Sequence, residues 1–377
     1  MGIKLNGIEH GVYLNGVHMG IYHNGVKMYP EDDILRRAWK DIRQTPEKNV
    51  GVSYRTINTF GNLAGTNKWS GGVLAPNGKI YGIPRNSTSV LEIDPIARTT
   101  YTFGNLAGTN KWWGGVLAPN GKIYGIPRSS TSVLEIDTIA KTATTFGSVD
   151  VGEDAWACGA IAPNGKIYGI PRNSTTILEI DTIARTTSTF GDFGTDLSKW
   201  YGGVLAPNGK IYGIPDNSTT ILEIDPVTRT TYTFGNLAGT TKWTSGVLAP
   251  NGKIYGIPGG DTSVLELDPV ARTATTFGSV DEGGAKWQSG VLAPNGKIYG
   301  MPGYATSILE IDPATRTTYT FGNFAVTSGK FNSGVLAPNG KIYGTPMNST
   351  SIVEISTSDP VINFQLETLL SAFLNTY

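Results

Sequence analysis

The stretch from Val73 to Pro84, VLAPNGKIYGIP, recurs seven times with little change, and this regularity limits what the 377-residue chain can fold into. The alanine of its APNGK core falls at Ala75, Ala118, Ala162, Ala206, Ala249, Ala293 and Ala337, so the steps are 43, 44, 44, 43, 44 and 44 residues. A period in this range belongs to one supersecondary unit that cannot bury its apolar face alone and must stack on copies of itself. Each copy reads as strands. Val73–Ala75 leads into Asn77-Gly78, and Lys79–Tyr81 leads out. Asn-Gly between apolar runs predicts a type I′ hairpin turn, with positive φ at both central residues. A third strand, Ser89–Ile93, ends at the turn dipeptide Asp94-Pro95. The β-branched and aromatic run Thr99–Phe103 makes a fourth.

Four short antiparallel strands at this step are the blade of a β-propeller, so seven copies predict an all-β, seven-bladed ring. Counting the fourth strands tests this. After the first APNGK they begin at Thr99, Thr142, Thr186, Thr230, Thr273 and Thr317, which is one short. The missing copy precedes the first unit, where Arg55–Gly61 matches Arg98–Gly104. An N-terminal strand therefore completes the last blade and leaves no open edge to pair with other chains. The ring is assigned to residues 55–356.

The ends read differently. Residues 1–30 carry Asn-Gly at 6–7, 15–16 and 24–25, a nine-residue period that predicts an arm of short strands. Such strands bury too little to stand alone. Residues 31–54 are read as a helix and linker, with Glu31–Asp33 at the helix start and Arg36, Arg37, Lys40 and Arg43 further along, as the helix dipole favours. In residues 357–377, Ile362, Leu366, Leu369, Leu370 and Phe373 lie on one helical face. Two short helices thus flank the ring. They are expected to pack on it or on each other, with docking to a partner as the other reading.

Charge is balanced, 30 basic residues against 30 acidic, so nothing global points to nucleic acid or an anionic membrane. One cysteine rules out an intramolecular disulfide, and Cys158 stands where the first unit has Gly71, a packing position. Neither a signal peptide nor a membrane-spanning run is read, so synthesis in the cytoplasm is expected.

The three histidines, His10, His18 and His23, all lie outside the ring, and their spacing matches no zinc pattern. No triad can form inside the ring, and no nucleotide-binding loop is present. The expectation is therefore a non-enzyme with no catalytic residue, metal or cofactor. The repeated Glu92 and Asp94 positions read as structural, with Asp94 capping its turn and Arg98 pairing with it. The lysine after each hairpin glycine, Lys79 in the first unit, reads as solvating a turn or, alternatively, as ringing the axis to hold an anion.

The candidate ligand-binding residues are aromatic and basic. Trp69, Trp112, Trp156, Trp200, Trp243 and Trp287 each lie six residues before the repeat alanine, with Phe331 in the seventh place. On the same face the loop after the second strand carries Arg85, Arg128 and Arg172 in the first three units, then Asp216, Gly259, Gly303 and Met347. Indoles beside guanidiniums and amides can hold a sugar by stacking and hydrogen bonding. The other reading is that each indole plugs the seam between blades. These loops vary most between copies, and variation on a rigid frame is where recognition usually lives.

The repeat resembles seven-bladed propellers of the kelch, NHL and YncE-like type over residues 55–356. Separately, GIKLNG, VYLNGV and IYHNGVKMYP in residues 1–30 resemble opening segments of tailed-bacteriophage virion proteins. That resemblance implies a structural or adhesion component of a virion, in a tail, fibre or head decoration. The arm, and the terminal helices, would attach to other virion proteins, and the ring would be displayed to protein or host-surface glycan. A homo-oligomer is left open, and neither nucleic acid nor membrane is an expected partner. A free carbohydrate-binding propeller is the alternative. An enzyme would need an asymmetric polar cluster, for which Asp192, Asp196 and Asp216 in one unit are the only hint.

Overall fold

The structure, a computed structural model, describes residues 55–149, 152–281 and 283–357, together with the backbone of four short strands within residues 2–28. Two compact units are distinguished, residues 1–53 and 54–377. In the first, strands Gly2–Leu5, Ile8–Gly11, Ile21–His23 and Val26–Met28 pair in chain order as an antiparallel sheet. The helices expected in residues 31–54 and 358–377 lie outside the described residues.

The second unit is a seven-bladed β-propeller, with no helix among its described residues. Blade 1 consists of an inner strand Trp69–Leu74, a second strand Ile80–Pro84, a third Val90–Asp94 and an outer Thr99–Phe103. Five further blades repeat this order through residue 321. Blade 7 takes three strands from Phe331–Ser356 and its outer strand from Thr56–Phe60 at the other end of the ring, paired antiparallel with Ile352–Ser356. Inner strands touch inner strands all the way round, including those of blades 7 and 1.

The core is divided among the seams. Trp69, Ile80, Leu91 and Ile93 of blade 1 pack on Val335, Ala337, Tyr343 and Ile352 of blade 7. The same positions of blades 1 and 2 form an equivalent cluster, so the closing seam is built like its neighbours. The second and third strands are buried on both faces, which is why VLEID and IYGIP read as nearly continuous apolar runs rather than alternating ones. Inner-strand glycines allow the blades to approach closely. A Cβ at Gly115 would lie 2.6 Å from Ile83 Cδ1 of blade 1.

The hairpin turn differs from the expected type. Only Gly78 has positive φ, at 78°, and Gly78 N–H donates to Ala75 O at 3.0 Å while Ala75 N–H donates to Lys79 O at 2.9 Å. This is a type I turn with Pro76 and Asn77 at its centre, followed by a left-handed glycine. Proline's fixed φ suits the first central position of type I and is incompatible with type I′. Asn77 accepts from Lys79 N–H and donates to the Tyr81 hydroxyl at 2.9 Å.

On this hairpin side the blades are tied by one repeated ionic motif. Lys79 Nζ lies 2.6 Å from Glu92 Oε1, and Lys141 of the next blade reaches the same oxygen at 3.3 Å. Glu135–Arg185, Glu179–Arg229, Glu223–Arg272, Glu266–Arg316, Glu310–Arg55 and Glu354–Arg98 repeat the cross-seam pair. Arg98 therefore serves the Glu of the preceding blade, not Asp94 of its own turn. Asp94 does cap that turn, accepting from Ile96 and Ala97 N–H at 3.0 and 2.9 Å. Lys79 is consumed by its glutamate rather than offered to an axial anion.

Candidate functional site

The six tryptophans of the sequence reading are in the seams. Trp69, Trp112, Trp156, Trp200, Trp243 and Trp287 are at most 4% exposed, and Phe331 takes the seventh place at 2%. Each indole N–H donates to the carbonyl of the residue before its own third strand, Ser89, Ser132, Thr176, Thr220, Ser263 and Ser307, at 2.7–2.9 Å. A sugar could stack on these rings only by opening a seam. Trp200 borders a groove of about 440 Å³ lined by Phe193, Asp196, Leu197, Lys199 and Asn217–Thr220. A lysine precedes five of the six tryptophans and is also buried; Trp156 follows Ala155. Lys111 Nζ donates to Gly108, Ser87 and Arg85 carbonyls at 2.7, 3.0 and 3.1 Å, clamping the loop to the preceding blade.

The arginines are brought together elsewhere, at the mouth of the axis. The register pairs each seam tryptophan with the proline that ends the second strand, Trp112 with Pro127 in blade 2. Arg128 therefore leaves the sheet beside the start of the inner strand. A register shift follows between Trp112 and Gly115, and its equivalents recur in every blade. A bulge there breaks strand alternation and re-aims the residue after the tryptophan. In chain order that residue is Ser70, Trp113, Ala157, Tyr201, Thr244, Gln288 and Asn332, seven different side chains in a ring otherwise almost uniform.

Trp113 of blade 2 and Tyr201 of blade 4 meet edge to face at 5.5 Å, past the intervening Ala157, whose small side chain leaves room for them. Arg128 lies over the Trp113 ring at 4.1 Å and Arg85 at 5.1 Å, while Arg172 lies over Tyr201 at 5.2 Å. Cation–π contacts of this kind hold the guanidinium planes against the aromatic floor. Asp154 binds Arg128 through both carboxylate oxygens, one bond to Nε and the other to Nη2 at 2.9 Å, and takes Arg172 Nη1 at 2.6 Å. Asp154 occupies a left-handed conformation, φ 56°, where blades 1 and 2 have Asn67 and Asn110. Arg172 Nη2 also lies 3.8 Å from buried Asp216. Arg85 has neutral partners, Asn110 Oδ1 at 3.0 Å, Asn67 Oδ1 at 3.2 Å and Met347 Sδ at 3.4 Å.

The electrostatics follow from burial and crowding. Burial, reinforced by Arg128, lowers Arg85 to about 10. Burial alone would raise Asp154, but Arg128, Arg172 and Arg85 hold it below the usual aspartate value. Asp216 is raised by burial in spite of Arg172 and Lys242. Burial pushes the Cys158 thiol up to about 12, so it packs beside Trp113 and Tyr201 as an unreactive neutral group.

Asp192 and Asp196 are not gathered with Asp216. Both are exposed in the loop before Trp200, where Asp192 caps Gly194 N–H and the Asp196 carbonyl takes Lys199. Among the described residues, no three His, Cys, Asp or Glu side chains are grouped to hold a metal ion. No helix of the described residues is long and apolar enough to cross a membrane. The sequence reading found Arg85, Arg128 and Arg172 but missed Trp113, Tyr201 and Asp154. The signal for these was divergence at one repeat position, to be read once the bulge is known.

No family model matches this chain, and no curated protein does. Solved structures do. A streptogramin B lyase superposes with TM-score 0.68 at 11% identity, over 81% of this chain and 99% of its own. Virginiamycin B lyase from Staphylococcus aureus gives 0.69 at 10%, over 80% and 99%. The extracellular domain of a one-component system protein from B. thetaiotaomicron gives 0.63 at 11%, over 81% of this chain and 43% of that one. The expectation that the chain is no enzyme is corrected here, because the ring is one that lyases also use and a ring without histidine is no ground for exclusion. At these identities the likeness is one of fold, and the fold it establishes is the seven-bladed propeller.

Proposed function

We propose that this chain is a recognition protein whose ring takes its ligand at the axial mouth, on blades 1 to 4. The observation that carries the reading is where the repeats stop matching. Seam indoles, clamp lysines and cross-seam glutamates recur around the ring. The residue after the tryptophan differs in all seven blades, and the residue after the second-strand proline is arginine in only three. Positions that serve only packing have no reason to diverge in this way, whereas a binding surface on a rigid frame does. The test is a panel of glycans and small metabolites read by thermal shift on the full chain, repeated with Tyr201→Thr, the residue blade 5 carries at this position. A hit lost in Tyr201→Thr supports the reading. Hits that survive it, or none, count against it.

Residues 1–30 support a second reading, that the ring is displayed on a virion through its N-terminal segment. What favours it is the nine-residue Asn-Gly period and its resemblance to virion opening segments. Removing residues 1–30 should abolish incorporation into particles while leaving the melting temperature of the ring unchanged. Normal incorporation would refute it.

A further inference from the structure

We propose that the axial mouth is an oxyanion site, holding the carboxylate or phosphate group of a small ligand on Arg85 beside the Trp113 indole. The inference rests on the mouth being the binding surface and adds the chemistry of what binds there. Nine arginines fall among the described residues, and eight of them form an ion pair with a carboxylate. Arg85 alone has none. It is half-buried, its Nε and Nη1 donate to two amide oxygens and a thioether, and its Nη2 has no partner among the described residues. A guanidinium partly withdrawn from water without a counter-ion is unfavourable, and a bound anion removes the deficit.

Arg128 and Arg172 add to the deficit, and Asp154, which offsets it in part, is bonded to those two arginines and not to Arg85. Arg128 shares the Asn110 oxygen with Arg85, at 3.4 Å, so two cations lean on one neutral acceptor. Asp154 is occupied by Arg128 and Arg172 together, and Asp216 faces Arg172. Folding does not require an arginine at this position, since blades 5 and 6 have glycine and blade 7 has Met347. The positive charge is thus concentrated at one side of the mouth and is unnecessary for building a blade. Its placement over an indole fits a ligand whose anionic group is carried on a flat or apolar body.

The experiment is calorimetric titration of the full chain at low ionic strength with inorganic phosphate, benzoate and, as the neutral analogue, benzamide. Saturable one-to-one binding of phosphate or benzoate, with none of benzamide, is expected. Phosphate alone would assign a phosphate-bearing ligand, and benzoate alone a carboxylate. Arg85→Met, which copies blade 7, should weaken binding by about tenfold or more, as expected for loss of a charged hydrogen bond. Arg85→Lys keeps the charge and serves if the methionine variant does not fold; it should retain part of the affinity. No heat at millimolar anion, or equal affinity in Arg85→Met, overturns the proposal. A neutral ligand that binds at the mouth and is lost in Tyr201→Thr, with no response to either anion, overturns it while leaving the mouth as the binding surface.

Discussion

The two ends of the ring are made from the same repeat and have opposite characters. On the hairpin side every blade presents the same glutamate, and every glutamate takes a basic residue of the following blade. At the axial mouth the equivalent positions hold serine, tryptophan, alanine, tyrosine, threonine, glutamine and asparagine. Uniform charge pairing holds blades together, and the uniform end has no cation to spare. The varied end has a guanidinium without a counter-ion and two aromatics in contact across a blade. Structural demand accounts for the first end and leaves the second unexplained unless something binds there.

The adjacent pair Trp112 and Trp113 places this contrast within one strand. Trp112 is a seam residue, 2% exposed and bonded to Ser132 O, whereas Trp113 lies under two guanidiniums at the mouth. Trp112→Ala should cost about 3–5 kcal/mol, the range for an emptied aromatic site in a packed core. Trp113 is also buried, at 8% exposed, but blade 1 carries serine there, so Trp113→Ser should cost less, about 2–3 kcal/mol, from lost burial and cation–π contacts. Urea denaturation of both variants checks the order, and equal losses would erase the distinction between seam and mouth.

A third substitution tests the uniform end. Glu223 accepts from Arg272 at 2.8 and 3.0 Å, from Lys210 at 2.6 Å and from the Tyr212 hydroxyl at 3.1 Å. Removing its charge in Glu223→Gln should cost about 2–3 kcal/mol at neutral pH, as for hydrogen bonds to a charged group. Burial opposes ionisation of Glu223, yet Arg272, Lys210 and Tyr212 lower it from 4.5 to about 2. A carboxylate depressed on folding stabilises fully above its unfolded value, and that stabilisation is lost as pH falls through the folded value. The gap in urea midpoint between parent and Glu223→Gln should therefore close between pH 4.5 and about 2. A gap that persists in acid would mean the glutamate acts by packing rather than charge.

Much of the ring was legible before the structure because it is written in spacing. The 43- and 44-residue steps give the blades, and the match of Arg55–Gly61 to Arg98–Gly104 gives the closing strand. Local chemistry was less legible. Asn77-Gly78 suggested a two-residue turn, but Pro76 moved the turn one residue back. The partner of Arg98 could not be read from its own unit, because the cross-seam pair joins two blades. The mouth was half visible. Arg85, Arg128 and Arg172 stand out as departures from the repeat, whereas Trp113 hides behind Trp112 and Asp154 behind an asparagine position. A bulge that breaks strand alternation is not legible in a sequence of alternating side chains.

The most direct test is a titration of the ¹⁵N-labelled full chain with phosphate and benzoate, following the eight tryptophan indole N–H signals. The Trp113 signal should shift saturably, while the six seam indoles, each bonded to a carbonyl, hold their positions. Seam signals that move while Trp113 stays still, or eight signals that do not move, would contradict anion recognition at the axial mouth.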